Sequence, residues 1–515
     1  MRLQKVLCLF SQCLEIAVFR CVFSHVSCNM DLPRKLILHF DVNGTILMQD
    51  SAAETPLEQM LCEILATHAW GTVLEKEETK VWKLGHDTLS LLCPAEGLIS
   101  YQQFTRLLHP IQTPETEPDE AKRAAMNKEI KLANKKLISE FCQHGKPGFK
   151  FKSLFDKMLK QLSLPKVVCE EFGFGQEDRK DPHPLHSLFA NAKTYLIPGF
   201  FRTIMALKKA KRDFAVLFRT FGRDVENVAF EFTQFCEGNH PCYNGRNGCP
   251  LVRFDGLKGT KDLRIDEKNS GYFVRTSPNT DDAALVTGTF GDPSVEGSPE
   301  EVHSGAIDEG RITVYRTGPS IAVAISEMLL GNASFALRDD WTFWETQGQQ
   351  ADCGKLLLLD PSDYTTQHIF FDDSIEENDA KCIDVRNLVN GEVLPYKKTV
   401  NKYIVRVDSY RAITEADYFM KQIEACELAR TEEITRLEAG IDSDTEEREE
   451  EVDQWAQFQQ AKTSDYLNRA IFPVLLPALQ VLNIERPEDP ASFLAYWVLR
   501  HKDRVQLPSK PSPSA

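Results

Sequence analysis

Residues 35–40, KLILHF, form a short apolar run that ends at Asp41 and enters a turn containing Gly44. A run of this length, closed by such a turn, reads as a strand buried on both sides, as in a parallel sheet. Three further runs share the character: 213–218 (DFAVLF), followed by Arg219-Thr220; 355–359 (KLLLL); and 368–371 (HIFF), followed by Asp372-Asp373. Between them, Leu57, Met60, Leu61 and Ile64 show helical spacing within 52–110, and 119–143 and 200–211 also read as helical. Strands alternating with helices predict an α/β fold with a doubly wound sheet. Residues 236–310, rich in Gly, Pro, Asn, Asp and Ser, read as loops with short strands.

The 515 residues allow roughly two to four domains. A formal charge of -16 speaks against non-specific binding to nucleic acid or an anionic membrane, which needs clustered Lys and Arg. A local site for a small anion stays open. Lys122, Arg123, Lys128, Lys131, Lys135 and Lys136 give 119–143 a basic face, which is either solvated or such a site. The 14 cysteines include no C-x-x-C pair and read as reduced thiols of a reducing compartment, the cytoplasm. Cys236, His240, Cys242 and Cys249 lie close in sequence, but their spacing fits no common zinc pattern, and buried loop cysteines are the preferred reading.

The first 30 residues are apolar, yet Glu15 and Arg20 break them into stretches shorter than the ~20 residues a membrane span requires. They read as an N-terminal extension, 1–30, ahead of a main domain at 31–410. Residues 411–460 are acidic and helix-forming and read as a solvated linker; 461–505 form an apolar block, and 506–515 a disordered Pro/Ser tail.

Open α/β sheets bind ligands at the carboxyl ends of their strands. Asp41, Thr220 and the Asp372-Asp373 pair all stand at strand ends, so they can converge. An Asp nucleophile, a hydroxyl, a Lys and an acidic Mg2+ ligand are the parts of phosphoryl transfer through an aspartyl intermediate. The order of these residues resembles the haloacid dehalogenase-like (HAD) superfamily, over roughly 35–390. Its first motif, a strand followed by D-x-D-x-T, stands here as Asp41-Val42-Asn43-Gly44-Thr45; Thr220, Lys355 and Asp372-Asp373 match the second, third and fourth. The resemblance implies Asp41 as nucleophile, with Mg2+ held by Asp41, the carbonyl of Asn43, and Asp372 or Asp373. It implies Thr220 and Lys355 as phosphate ligands, a phosphorylated small molecule or protein as substrate, and a cap at about 47–195. One departure matters: the second aspartate of that motif is Asn43, and an amide cannot protonate a leaving group or activate water. Loss of that help costs ~10²–10⁴ in rate. The plainer alternatives are that Asp41 orders a turn and that Asp372-Asp373 is a solvated one.

In the C-terminal block, Leu467, Ile471, Val474, Leu475, Ala478 and Leu482 recur near helical spacing. Pro487–Pro490 ends that helix; Asp489 suits an N-cap and Pro490 the first position of a second helix, with Phe493, Leu494, Trp497 and Val498 on its apolar face. Two such helices cannot bury their faces alone and should pair with another copy. The stretch resembles the Dpy-30 motif: Tyr466-Leu467, Ile471-Phe472-Pro473-Val474-Leu475, Ala478-Leu479, Arg486-Pro487-Glu488-Asp489-Pro490 and Phe493-Leu494-Ala495-Tyr496-Trp497. Ala478 stands where that motif has Gly, and Pro477 is an added proline. The resemblance implies a homodimer whose groove receives an amphipathic helix of a partner, in a ciliary, flagellar or chromatin-modifying assembly. Together the two resemblances predict a HAD-like protein docked through this hairpin with phosphatase chemistry weakened or lost, the alternative being an active Mg2+-dependent phosphatase or phosphotransferase.

Overall fold

A computed structural model describes residues 33–439 and 471–500, apart from 77–78, 114–115, 177–182, 190, 247, 332–333 and 488. The chain divides into two compact units, Met1–Arg430 and Thr431–Ala515. In chain order the strands of the first unit are β1 (Lys35–Asp41), β2 (Trp70–Lys76), β3 (Thr79–Leu84), β4 (Ile99–Ser100), β5 (Phe214–Thr220), β6 (Ser270–Arg275) and β7 (Ala283–Thr287). They continue with β8 (Thr313–Arg316), β9 (Ser334–Arg338), β10 (Lys355–Leu359), β11 (Thr366–Asp372), β12 (Ile383–Asn387) and β13 (Ile404–Arg406).

Eight of these make a mixed central sheet in the order β13-β11-β1-β5-β9-β6-β7-β8. From β13 to β6 the neighbours run parallel, and β7 and β8 add antiparallel at one edge. β1 is buried on both faces: Leu36, Leu38 and Phe40 enter one core cluster and Ile37 another. That is why its sequence is a continuous apolar run rather than an alternating one. Phe40 stacks on Phe371 and meets Phe200 and Phe419 edge-on. The order turns back at β1, with β5 on one side and the later β11 on the other, which is where a crevice opens at the strand ends. The KLLLL run does not join this sheet; β10 pairs with β12 alone.

Between β1 and β5 the chain leaves and returns through a narrow neck. Leu47 bridges Leu196 antiparallel, and the Ile197 N–H donates to the Ile46 carbonyl at 2.9 Å. The span between carries α1 (Leu57–His68), α2 (Tyr101–Leu108), α3 (Glu120–Ser139) and α4 (Lys152–Gln161), with a three-stranded antiparallel sheet β3-β2-β4. That sheet corrects the helical reading of 52–110, where among the described residues only Leu57–His68 and Tyr101–Leu108 are helical. The β-branched and aromatic content of T-K-V-W-K-L favours a strand. Only Trp82 of β3 is buried, so the strand carries no strong apolar signal.

α5 (Pro198–Lys209) and α6 (Val225–Cys236) flank β5 in sequence, and α7 (Gly318–Gly331) precedes β9. The linker reading from 411 is also corrected in its first part. In α8 (Tyr418–Glu438), Phe419, Ile423 and Cys426 are buried in the main core, an i, i+4, i+7 stripe among acidic neighbours. Residues 1–30, 440–460 and 506–515 lie outside the described residues, as does Leu467.

In the second unit, α9 (Phe472–Glu485) and α10 (Pro490–Arg500) pack on each other. α9 contains Pro477 and ends at Arg486, which takes a left-handed conformation. The Ala491 N–H donates to Asp489 Oδ1 at 3.1 Å at the start of α10. Val474 and Ala478 are buried, Leu475, Leu482, Phe493, Leu494 and Trp497 are half-buried, and Phe493 stacks on Trp497. Ile471, Leu476 and Leu479 are 40%, 53% and 42% exposed. Among the described residues no helix is long and apolar enough to cross a membrane.

Candidate active site

Parallel register brings the strand-end residues side by side. Phe40 lies opposite both Phe218 and Phe371, so Asp41, Thr220 and Asp372 close three adjacent strands at the same edge. Lys355, the first residue of β10, reaches across to them. Its Nζ donates to Asp41 Oδ1 at 2.5 Å and to Asp372 Oδ2 at 2.8 Å. The Lys355 side chain is 1% exposed, and its Nζ lies 4.8 Å from the Phe221 ring centre. Asp41, Asp372 and Asp373 each offer an oxygen within 4.8 Å of the others.

Gly44, at φ +84°, makes room for the third carboxylate: a Cβ there would fall on the Asp373 side chain. Thr45 fixes Asp373 from the other side, accepting its backbone N–H at 3.2 Å and donating its hydroxyl to Oδ1 at 3.4 Å. Burial, opposed by Lys355 and reinforced by Asp372, pushes the Asp41 carboxyl up to about 7. Burial, with Asp41 and Asp372 beside it, pushes Asp373 well above the ordinary carboxylate range. Burial works against the Lys355 ammonium, but Asp372 and Asp41 outweigh it and raise it above its usual value. Three carboxyl groups stand against one ammonium, Asp41 and Asp372 buried and Asp373 half-buried, so a bound divalent cation would offset the charge that burial disfavours. This all-oxygen donor set fits a small hard divalent cation and not a thiophilic metal.

Asn43 is held on both polar atoms of its side chain. Its Oδ1 accepts from the Thr220 hydroxyl at 3.2 Å, and its Nδ2 donates to the Gln49 carbonyl and to Asp224 Oδ2, both at 2.9 Å. Asp224 is the residue that sequence reasoning missed. Buried just ahead of α6, it leaves that helix uncapped and instead accepts from Asn43, the Ser51 N–H at 3.2 Å and the Tyr195 hydroxyl at 3.0 Å. The available signal was an acid four residues beyond the strand-end Thr220. A carboxylate at position 43 would meet Asp224 without a proton between them, which accounts physically for the amide. Thr220 also accepts the Gly222 N–H at 2.8 Å, so its hydroxyl is committed within the turn.

Asp41, Asn43, Thr220 and Lys355 line a cavity of about 660 Å³. A larger one, of about 1150 Å³, lies on the side of Asp373 and the inserted helices. The two share Asn43, Asp50, Ala53, Trp344 and Ser374. Among the described residues Cys236, His240, Cys242 and Cys249 form no cluster of close ligand atoms. His240 pairs with Glu231 at 3.1 Å instead, and burial pushes the Cys236 thiol well up.

No solved structure matches the chain. The family model of the Dpy-30 motif matches residues 462–503, which include α9 and α10, and that motif implies dimerisation and the binding of partner helices.

Proposed function

We propose that the first unit is a HAD-like aspartyl site with weakened phosphatase chemistry. In this reading the Dpy-30 motif anchors it to a larger assembly by dimerising and docking a partner's amphipathic helix. The observation that carries the reading is the Asp41–Lys355–Asp372 bridge at the ends of adjacent parallel strands, with an amide at position 43. Asp41, Asp372, Asp373 and the carbonyl of Asn43 would hold Mg2+, which supplies neutralisation of the phosphate and of the carboxylates around it. An Asp41 carboxylate oxygen forms the new bond to phosphorus, and the ester oxygen departs with its electron pair. Lys355 aims that carboxylate and offsets its charge. No group at position 43 delivers a proton to the departing oxygen, so an alkoxide leaves slowly and an aryloxide, the weaker base, leaves faster. Water then hydrolyses the aspartyl phosphate without help from position 43.

Initial rates on aryl and alkyl phosphates, with Mg2+ and with chelator, test this. The expectation is slow aryl turnover that needs Mg2+ and vanishes in Asp41→Asn, with alkyl turnover slower still. Absence of both aryl turnover and Mg2+ binding by calorimetry would make the first unit a binding scaffold. The second reading, an active phosphatase or phosphotransferase, is favoured by the full set of Asp41, Lys355, Asp372 and Asp373 standing together. Comparable rates on alkyl and aryl esters would select it.

A further inference from the structure

The larger cavity has a wall of the opposite sign to the carboxylate cluster. α3 lines it with Asn127, Lys128, Lys131, Leu132 and Lys135, and α2 with Arg106. On a helix Lys128, Lys131 and Lys135 fall three and four residues apart and share one face, with Asn127 and Leu132 beside them. A basic stripe of this kind is usually a solvated outer face; here Lys128 and Lys131 are exposed but also line a cavity. Lys135 is tied down, its Nζ donating to the carbonyls of Ala53 and Glu54 at 2.9 and 3.1 Å. Lys128, Lys131 and, elsewhere on the lining, Arg406 have no ion-pair partner among the described residues, Arg106 faces the Glu63 carboxylate of the same lining, and the buried Nε of Arg406 has no hydrogen-bond partner. In a chain of net charge -16, six basic side chains line this cavity against four acidic ones, of which Asp373 already belongs to the carboxylate cluster.

We propose that this cavity holds the distal end of a small phosphorylated substrate, and that the distal end carries a second phosphate recognised by Lys128, Lys131 and Arg106. The proposal rests on the aspartyl reading of the strand ends. The transferring phosphate lies by Asp41 and Lys355 in the smaller cavity, and the rest of the molecule passes Asp50, Ala53 and Trp344, which border both. The larger cavity, at about 1150 Å³, already exceeds the ~300–1,000 Å³ of ordinary ligand sites, so a monophosphate would leave most of it empty. Leu132, 58% exposed on the same stripe, gives the ligand body an apolar contact between the cations.

Calorimetry on the full chain with Mg2+ tests it, using fructose 6-phosphate against fructose 1,6-bisphosphate and adenosine 5′-monophosphate against adenosine 3′,5′-bisphosphate. In at least one pair the bisphosphate should bind about 10-fold tighter or more, the gain of a charge-assisted contact. K128Q combined with K131Q should reduce that difference to about two-fold. K122Q combined with K136Q removes the same charge from the same helix, but neither residue lines the cavity, and the difference should persist. Equal affinities within both pairs, no binding of any probe, or equal losses in the two double variants would each overturn the proposal. A phosphopeptide that displaces the bisphosphates would overturn the small-molecule assignment. A bisphosphate preference that survives chelation of Mg2+ and Asp373→Asn would uphold the cationic wall while overturning the aspartyl reading. Mg2+ binding without the preference would do the reverse.

Discussion

At the strand ends, three carboxylates and an ammonium stand together, and their partners come from the same chain: Lys355 for Asp41 and Asp372, Thr45 for Asp373. In the C-terminal helices Ile471, Leu476 and Leu479 are exposed among the described residues. The first arrangement is complete in one copy and intolerant of losing any member, because a buried charge stripped of its partner has no water to turn to. The second would tolerate change in the single chain if, as the Dpy-30 motif implies, it is completed by another molecule.

The largest effect should come from Lys355→Met. It leaves Asp41 and Asp372 facing each other in a buried site, and the first unit should lose about 3–5 kcal/mol in denaturant unfolding. A loss under about 1 kcal/mol would mean that the cluster hydrates easily and is not self-contained. Leu479→Asp should act the other way round. Unfolding of the first unit should not change, while sedimentation should show a dimer weakened more than about 100-fold by an unpaired carboxylate in an apolar seam. A wild-type chain that stays monomeric at micromolar concentration would break the comparison at its second term.

Much of this contrast is legible in the sequence. Asp41, Thr220 and Asp372 each follow an apolar run, and parallel strands of similar length must deliver such residues to one edge. Lys355 is different: it begins its run instead of ending it, and its strand lies in a separate small sheet, so pattern alone places it near the site but not between two aspartates. Asp224 carried only the weak signal of an acid just past a strand end, because its loop position resembles an ordinary helix start, whereas its bonds go to Asn43, Ser51 and Tyr195. The core role of Phe419, Ile423 and Cys426 was readable from their spacing but was outweighed by the surrounding acids.

Asn43→Asp sharpens the comparison within the first site. Placed 2.9 Å from Asp224 where the amide now donates, the new carboxylate should cost about 1–3 kcal/mol of stability and give no gain in turnover. Adding Asp224→Asn restores a donor to that contact with the roles exchanged. If the missing proton shuttle is the only defect, alkyl phosphate turnover should then rise ~10²-fold and aryl turnover less. A gain from the single change would show that Asp224 swings away and that the network is looser than its geometry.

The smallest effect concerns acid. Asp408 accepts from His68 Nε2 at 3.1 Å and caps the Ser409–Thr414 helix through the Arg411 N–H at 2.9 Å. Burial works against its carboxylate, but the His68 contact and the Arg411 N–H prevail and hold it below the ordinary range. A folded-state value depressed in this way stabilises above the unfolded value of about 3.9 and is lost as pH falls through the folded one. Asp408→Asn should therefore flatten the fall in stability below about pH 4, measured by unfolding at stepped pH. An unchanged slope would remove Asp408 from the acid response.

The neck at Ile46-Leu47 and Leu196-Ile197 makes the span between it a cassette. Its two ends already touch, so the closure entropy of whatever lies between grows only logarithmically, by about 0.6 kcal/mol for each doubling of length. The span can lengthen, shorten or be exchanged with little strain on the register of β1 against β5. The wall that would select a ligand and the cluster that would react with it are thereby free to vary at different rates.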